Sequence, residues 1–187
     1  MENVHWILVI VSLVLGLGAL RLLVGVMVVL WSGWHDRGDA ASLAWAGAVL
    51  LQLVAFWWSL AAAGRVVSGW TPLALVLLAG LVLSLVLAAA FVLPLRPLPK
   101  GDTLSTRFER DGRWALLALA AFNAITMAAN PELWHEGLLT ESVRINLVLT
   151  VIPLAGFLGG RRVPRAAAAA YVVILVWGVV ESAPLGY

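Results

Sequence analysis

Six apolar stretches divide the chain: His5 to Trp31, Ala41 to Gly64, Trp70 to Leu95, Trp114 to Asn130, Arg144 to Gly160 and Ala166 to Ser182. None alternates with the period of two that marks a barrel strand. Uniform apolarity over such lengths fits helices that cross a bilayer, since a hydrocarbon core about 30 Å thick takes roughly 20 residues at about 1.5 Å each. Inside hydrocarbon the backbone must satisfy itself, and a helix does so within one segment. The pattern therefore predicts an all-α, polytopic bundle of six transmembrane helices, three long and three near the lower limit for spanning. The longest connections, Arg96 to Arg113 and Pro131 to Val143, leave no room for a soluble module, so residues 1–187 are expected to form a single transmembrane domain.

Composition agrees. Of 187 residues, 63% are hydrophobic and 12% charged, about half the charged share of a soluble domain. The start MENVHW has neither a basic region nor a small-residue cleavage site after its apolar run, so the first helix is expected to be retained. With no cysteine, disulfides, c-type haem attachment and thiolate metal sites are excluded. One lysine against eleven arginines in a chain rich in Ala, Leu, Val and Gly suggests a GC-rich bacterium, and hence its inner membrane.

Charge sets an orientation. Arg37, then Arg96, Lys100, Arg107, Arg110 and Arg113, then Arg161, Arg162 and Arg165 follow the first, third and fifth stretches, while the opposite side has Arg65 and Arg144. Basic loops stay cytoplasmic, so both termini are expected to be extracytoplasmic. Tryptophan prefers the headgroup level. This topology puts Trp31, Trp34, Trp45 and Trp114 near the inner boundary, and Trp6, Trp57, Trp58, Trp70, Trp134 and Trp177 near the outer one.

Arg21 breaks the first stretch at LVLGLGALRLLVG, about 22 Å from Trp6 and about 15 Å from Trp31. A guanidinium facing lipid there costs at least about 2.5 kcal/mol, so Arg21 should face protein or water. Helical side chains lean toward the N-terminus, which would aim Arg21 at the membrane centre. Gly18 and Gly25 share its face and leave room for close approach by a helix or ligand, with Ser12 and Gly16 offering a second contact opposite. Gln52, Ser84 and Asn123 lie at comparable depth, forming a polar layer that Thr126 and Asn130 extend outward. Asn146 and Thr150 add polar groups on the fifth stretch, where Pro153 frees the carbonyl of Leu149. No Asp or Glu falls at mid-depth to neutralise Arg21, which must then be met by an anion, by carbonyl or amide oxygens, or by water.

Two readings follow. Either Gln52, Asn123 and backbone carbonyls solvate Arg21 and the layer only knits helices together, as in a non-catalytic scaffold or accessory subunit. Or Arg21 is the electrostatic determinant of a channel or transporter for a small anionic or polar solute, with Gln52, Ser84, Asn123 and Thr126 as lining groups. The second is the principal expectation, and a subunit of 20.0 kDa then points to a homo-oligomer. A third class, an enzyme at the outer headgroup level, would rest on His135 and Glu136, whose spacing marks no metal site. No catalytic motif, metal site or cofactor is expected; His5, His35 and His135 sit at stretch ends, leaving haem without an axial pair. The basic loop PLPKGDTLSTRFERDGRW could bind anionic lipid headgroups, though topology alone explains its charge equally well, as it does that of the turn RRVPR; neither reads as nucleic-acid binding.

The segments SLVLGLGALRLLVG and LLQLVAFWW resemble an uncharacterised group of bacterial six-helix integral membrane proteins. The resemblance covers the first two stretches and implies a fold without an activity.

Overall fold

The computed structural model describes residues 2–31, 39–63, 71–99, 102–134, 140–159 and 163–182. Among these, every regular element is a helix: α1 (Glu2–Trp31), α2 (Asp39–Ala63), α3 (Pro72–Val92), the single turn α4 (Leu104–Arg107), α5 (Trp114–Ala129), α6 (Glu141–Leu158) and α7 (Val163–Ser182). Short π-helical turns, Phe108–Gly112 and Asn130–Trp134, extend α4 and α5. Five segments are long and apolar enough to cross a membrane: Trp6–Trp31, Ala40–Leu60, Pro72–Val92, Trp114–Glu132 and Glu141–Leu158. The apolar part of α7, Ala166–Val180, is shorter than these.

Helix limits follow local chemistry. At the start of α3, Thr71 Oγ1 accepts from the Ala74 amide at 3.0 Å and Pro72 takes the first helical position, where its missing N–H costs nothing. The apolar pattern runs on to Leu95, yet α3 stops at Val92. Pro94 is the cause: a residue before proline is pushed out of the helical region, and Leu93 is extended at φ −125° and ψ 154°.

Helices α2, α3, α5, α6 and α7 close into a ring, each packed on its two neighbours, and α1 lies outside the ring against α2 and α3. The apolar window of α1 is 22% buried, against 50% for α2 and 17% for α6. Neighbours alternate in direction. At one end, the Cα of Gly156 on α6 faces Leu116 of α5, Ala167 of α7 and Trp45 of α2. At the other, Asn130 donates to Ser142 at 3.2 Å, Thr71 to Glu132 at 3.5 Å, and Gly178 meets Ile145. The first of these ends carries Arg96, Arg107, Arg110 and Arg113, and is called the basic end below.

Side chains fill the ring. Trp45, Phe122 and Tyr171 are fully buried; Trp45 and Tyr171 have ring centroids 5.6 Å apart, and Phe56 meets Phe122 edge-on at 5.4 Å. Lipid tails are as apolar as leucine, so close packing rather than the hydrophobic effect joins these helices. Small buried residues permit it, notably Ala88 and Ala89 on α3 and Ala115 on α5. Trp45, expected near the inner boundary, is buried inside the bundle at the end where it meets Gly156. Trp6, Trp31, Trp57, Trp58, Trp114 and Trp177 are exposed on the outside of the bundle, while the side chains of Trp34, Trp70 and Trp134 lie outside the described residues.

Candidate functional site

Arg21 reaches the end of α3. Its Nη2 donates to the carbonyls of Ala90 at 2.7 Å and Leu93 at 2.8 Å. The reason is in the chain: the helical partner of the Ala90 carbonyl would be the amide of residue 94, and Pro94 has none. Arg21 therefore caps α3 from a neighbouring helix. The side chain does not aim at the membrane centre as the usual lean would have it. Its Nη1 comes within 3.2 Å of where a Gly25 Cβ would stand, so it runs along α1 toward the C-terminus, drawn by the two orphaned carbonyls.

The two glycines on this face serve helix contact. Gly18 faces Val86 and Leu53 at 3.6 and 3.7 Å. Gly25 faces Leu93 so closely that a Cβ would lie 2.7 Å from the Leu93 Cβ. On the far face Ser12 accepts from Trp57 Nε1 at 3.1 Å, but Gly16 has nothing within 4 Å, so no helix seats there.

The residues of the expected polar layer do not join in one hydrogen-bond network. Gln52 and Asn123 meet through Tyr171, which donates to Gln52 Oε1 at 2.9 Å and accepts from Asn123 Nδ2 at 3.1 Å. Asn123 Nδ2 also lies 3.2 Å from the Leu149 carbonyl, the group Pro153 leaves without an amide, and 2.9 Å from the Leu119 carbonyl. Ser84 turns back on its own helix, to the carbonyls of Gly80 and Leu81 at 2.8 and 2.9 Å, and Thr126 does the same to Phe122 at 2.9 Å. Among the described residues none of the four hydrogen-bonds to Arg21. The reading of the sequence passed over Tyr171, although a tyrosine amid AAAAAYVVILVW carries a hydroxyl that must find a partner once buried.

Arg21 keeps an unused donor. Its Nη1 is buried and has no hydrogen-bond partner, and among the described residues no carboxylate faces it. The neighbouring charge is another cation, Arg107 of α4, close enough for the two to repel. Arg107 too has a buried Nη1 without a partner. Burial holds the Arg107 guanidinium below its ordinary range, Asp111 pulls it back up, and Arg110 adds to the depression. Asp111 is itself engaged, accepting from Arg110 Nε at 3.3 Å on the surface. Sequence reading counted Arg107 as a topology signal and as one of several basic residues in a loop suited to anionic headgroups; nothing in its spacing marked it out.

Arg113, at the same end, is engaged. It donates to the Phe157 carbonyl at the end of α6 and lies over the Phe157 ring at 4.8 Å. A groove of about 410 Å³ between α3 and α5, lined by Leu87, Phe91, Trp114, Leu117, Ala118 and Ala121, is almost wholly apolar and offers a polar solute nothing. His135 and Glu136, considered above for an outer headgroup site, lie outside the described residues. Comparison with protein-family models, with curated proteins and with solved structures finds no match to this chain.

Proposed function

We propose that this is a bacterial inner-membrane protein that moves a small anion, with Arg21 as its electrostatic determinant. One observation carries the reading: the Arg21 guanidinium keeps a buried, unpartnered N–H beside a second cation and no carboxylate. A buried charge is ordinarily paired, so this one is set to receive an anion. The filled interior supports a carrier that rearranges rather than a standing pore, and any shared conduction path would run between copies in a homo-oligomer. In this reading Gln52, Asn123 and Tyr171 hold the ring together, while Ser84 and Thr126 do not line the route.

Purified protein in liposomes tests it. Wild type is expected to pass a small anion, and Arg21→Gln, which retains a donor for the α3 carbonyls, is expected to lower that flux at least tenfold while remaining folded. The second reading, a scaffold, is favoured by the Arg21 bonds to Ala90 and Leu93. Wild-type liposomes that pass no anion would decide for it.

The same proposal takes α7 as a sixth span, both termini as extracytoplasmic and the basic end as cytoplasmic, in keeping with the arginine distribution. Because the chain has no cysteine, single cysteines report cleanly. A membrane-impermeant thiol reagent is expected to label Ser182→Cys in intact spheroplasts and Arg96→Cys only after lysis; the reverse pattern would overturn the orientation.

A further inference from the structure

We propose that the groove between α3 and α5 is a binding site for one anionic phospholipid, with an acyl chain lying in the groove and the phosphate on Arg110. The inference stands apart from the anion reading of Arg21 and needs only that the bundle crosses a membrane. Trp114, Leu117, Ala118 and Ala121 line the α5 wall, at the three- and four-residue spacing of one helix face. They run about 10 Å along the axis, roughly two-thirds of the ~15 Å that one leaflet contributes to the hydrocarbon core. Leu87 and Phe91 make the α3 wall. Deeper in, the two helices touch, since a Gly80 Cβ would stand 3.5 Å from Ile125. The helices are antiparallel, and that contact sets Phe91 level with Trp114 and Leu87 level with Ala118. The groove therefore opens at the basic end and stops near mid-depth.

A chain of methylenes suits such a notch better than a helix does. Ala118 and Ala121 floor it between the larger Leu87, Phe91 and Trp114. The Trp114 ring is held against Phe157, centroids 5.6 Å apart, so that wall is fixed before a lipid arrives. A helix of a second copy, about 10 Å wide and crossing at roughly 20–40°, would need a longer seat. An apolar groove does not choose among lipids, because acyl chains are alike in apolarity; the headgroup must supply the preference. Arg110 is placed to do so. It lies four residues before Trp114 on a helical path that continues through the π-helical turn, and so extends the groove face toward the bilayer surface. Its side chain is 67% exposed, and among the described residues only its Nε is engaged, with the adjacent Asp111 at 3.3 Å. The Nη groups remain for a phosphate, which a guanidinium fork fits. Arg113, nearer in sequence, turns the other way to Phe157. The connection from Arg96 to Arg113 carries five basic residues against three acidic, so charge favours an anionic headgroup over a neutral zwitterion.

The test uses the full chain in phosphatidylcholine nanodiscs, with a small share of phosphatidylglycerol or phosphatidylcholine brominated on its acyl chains to quench nearby tryptophan. Subtracting the signal of Trp114→Phe in each background isolates the groove. Quenching of Trp114 is expected to saturate at a mole fraction of brominated phosphatidylglycerol at least about fivefold lower than that of brominated phosphatidylcholine, the effect of one arginine at an anionic headgroup. Arg110→Gln, which gives up only an exposed ion pair, is expected to abolish the difference. Arg144→Gln, the same charge change at an exposed site near the other end of the bundle, is expected to leave it intact. Ala121→Phe fills the floor and is expected to raise the fraction of phosphatidylglycerol needed. Equal responses to the two lipids in wild type, or a preference that survives Arg110→Gln, overturn the proposal. So does a response that Ala121→Phe leaves unchanged, which would mean headgroup attraction without a seat for the chain. A Trp114 that neither lipid quenches, in a protein that cross-links to itself through α5, gives the groove to a second copy and overturns the proposal as well.

Discussion

Gly25→Val is expected to pry α1 from the ring and destabilise the protein by about 2–4 kcal/mol, combining overpacking with the loss of charged hydrogen bonds. A Cβ at residue 25 would stand 2.7 Å from the Leu93 Cβ, and 3.2 Å from Arg21 Nη1. A Cβ cannot swing away as a side-chain tip can, so α1 and the end of α3 must separate. That separation breaks what the contact permits, the bonds from Arg21 to the Ala90 and Leu93 carbonyls. A peripheral helix depends on such contacts, and among the described residues α1 packs chiefly on α2 and α3. The control is Gly16→Val, nine residues earlier on the same helix with nothing within 4 Å, where a change within about 0.5 kcal/mol is expected. Denaturation in mixed micelles followed by tryptophan fluorescence compares the two. Leu93→Gly, which removes the facing Cβ, should restore part of the loss in the Gly25→Val background. Equal stability of the two glycine variants would show that α1 does not seat through this contact.

Apolar runs of membrane-crossing length were legible because hydrocarbon tolerates few alternatives: a segment such as Pro72–Val92 has no polar face to misread. The direction of Arg21 was not legible, because it depends on where another helix ends. Pro94 and Ala90 are both visible in the sequence, but nothing there says that α1 brings an arginine to them. The opposite case is Pro153, whose freed Leu149 carbonyl could be named from the chain alone, since the orphan and its cause lie on one helix. Its partner was nameable only as a class, a donor at similar depth, and Asn123 supplies it. Which members of the polar layer bond to one another was illegible for a related reason. Depth was counted along each helix, whereas rotation about the helix axis decides who meets whom, and a uniformly apolar helix carries no stripe to fix that rotation. Ser84, counted to the depth of Gln52, and Thr126, counted just outward of it, bond to their own backbones instead.

Both cases express one rule of this fold. In lipid an unpaired carbonyl has no water to turn to, so each proline that ends or interrupts a helix creates a demand that a polar side chain from another helix can meet. Arg21 answers Pro94, and Asn123 answers Pro153. Such bonds hold helices in register where hydrophobic burial gives no preference, which is why so few polar residues suffice.

Asn123→Leu puts this rule to a direct measurement. The substitution keeps the number and branching of side-chain heavy atoms and leaves the Leu149 carbonyl with no donor, while Tyr171 still donates to Gln52 at 2.9 Å. The expected cost is about 1–2 kcal/mol, toward the upper range for hydrogen bonds between membrane helices. Tyr171→Phe should cost less, because Asn123 retains the Leu119 and Leu149 carbonyls at 2.9 and 3.2 Å. The decisive arm is the double variant with Pro153→Ala. An alanine there regains the amide that bonds Leu149 within α6, so Asn123→Leu in that background should lose most of its effect. Asparagine and proline are thereby coupled although neither donates to the other, and the double-mutant cycle reads the coupling directly. Costs that simply add would mean that the Leu149 carbonyl is not what Asn123 satisfies, and that the network is held by Tyr171 and Gln52 alone.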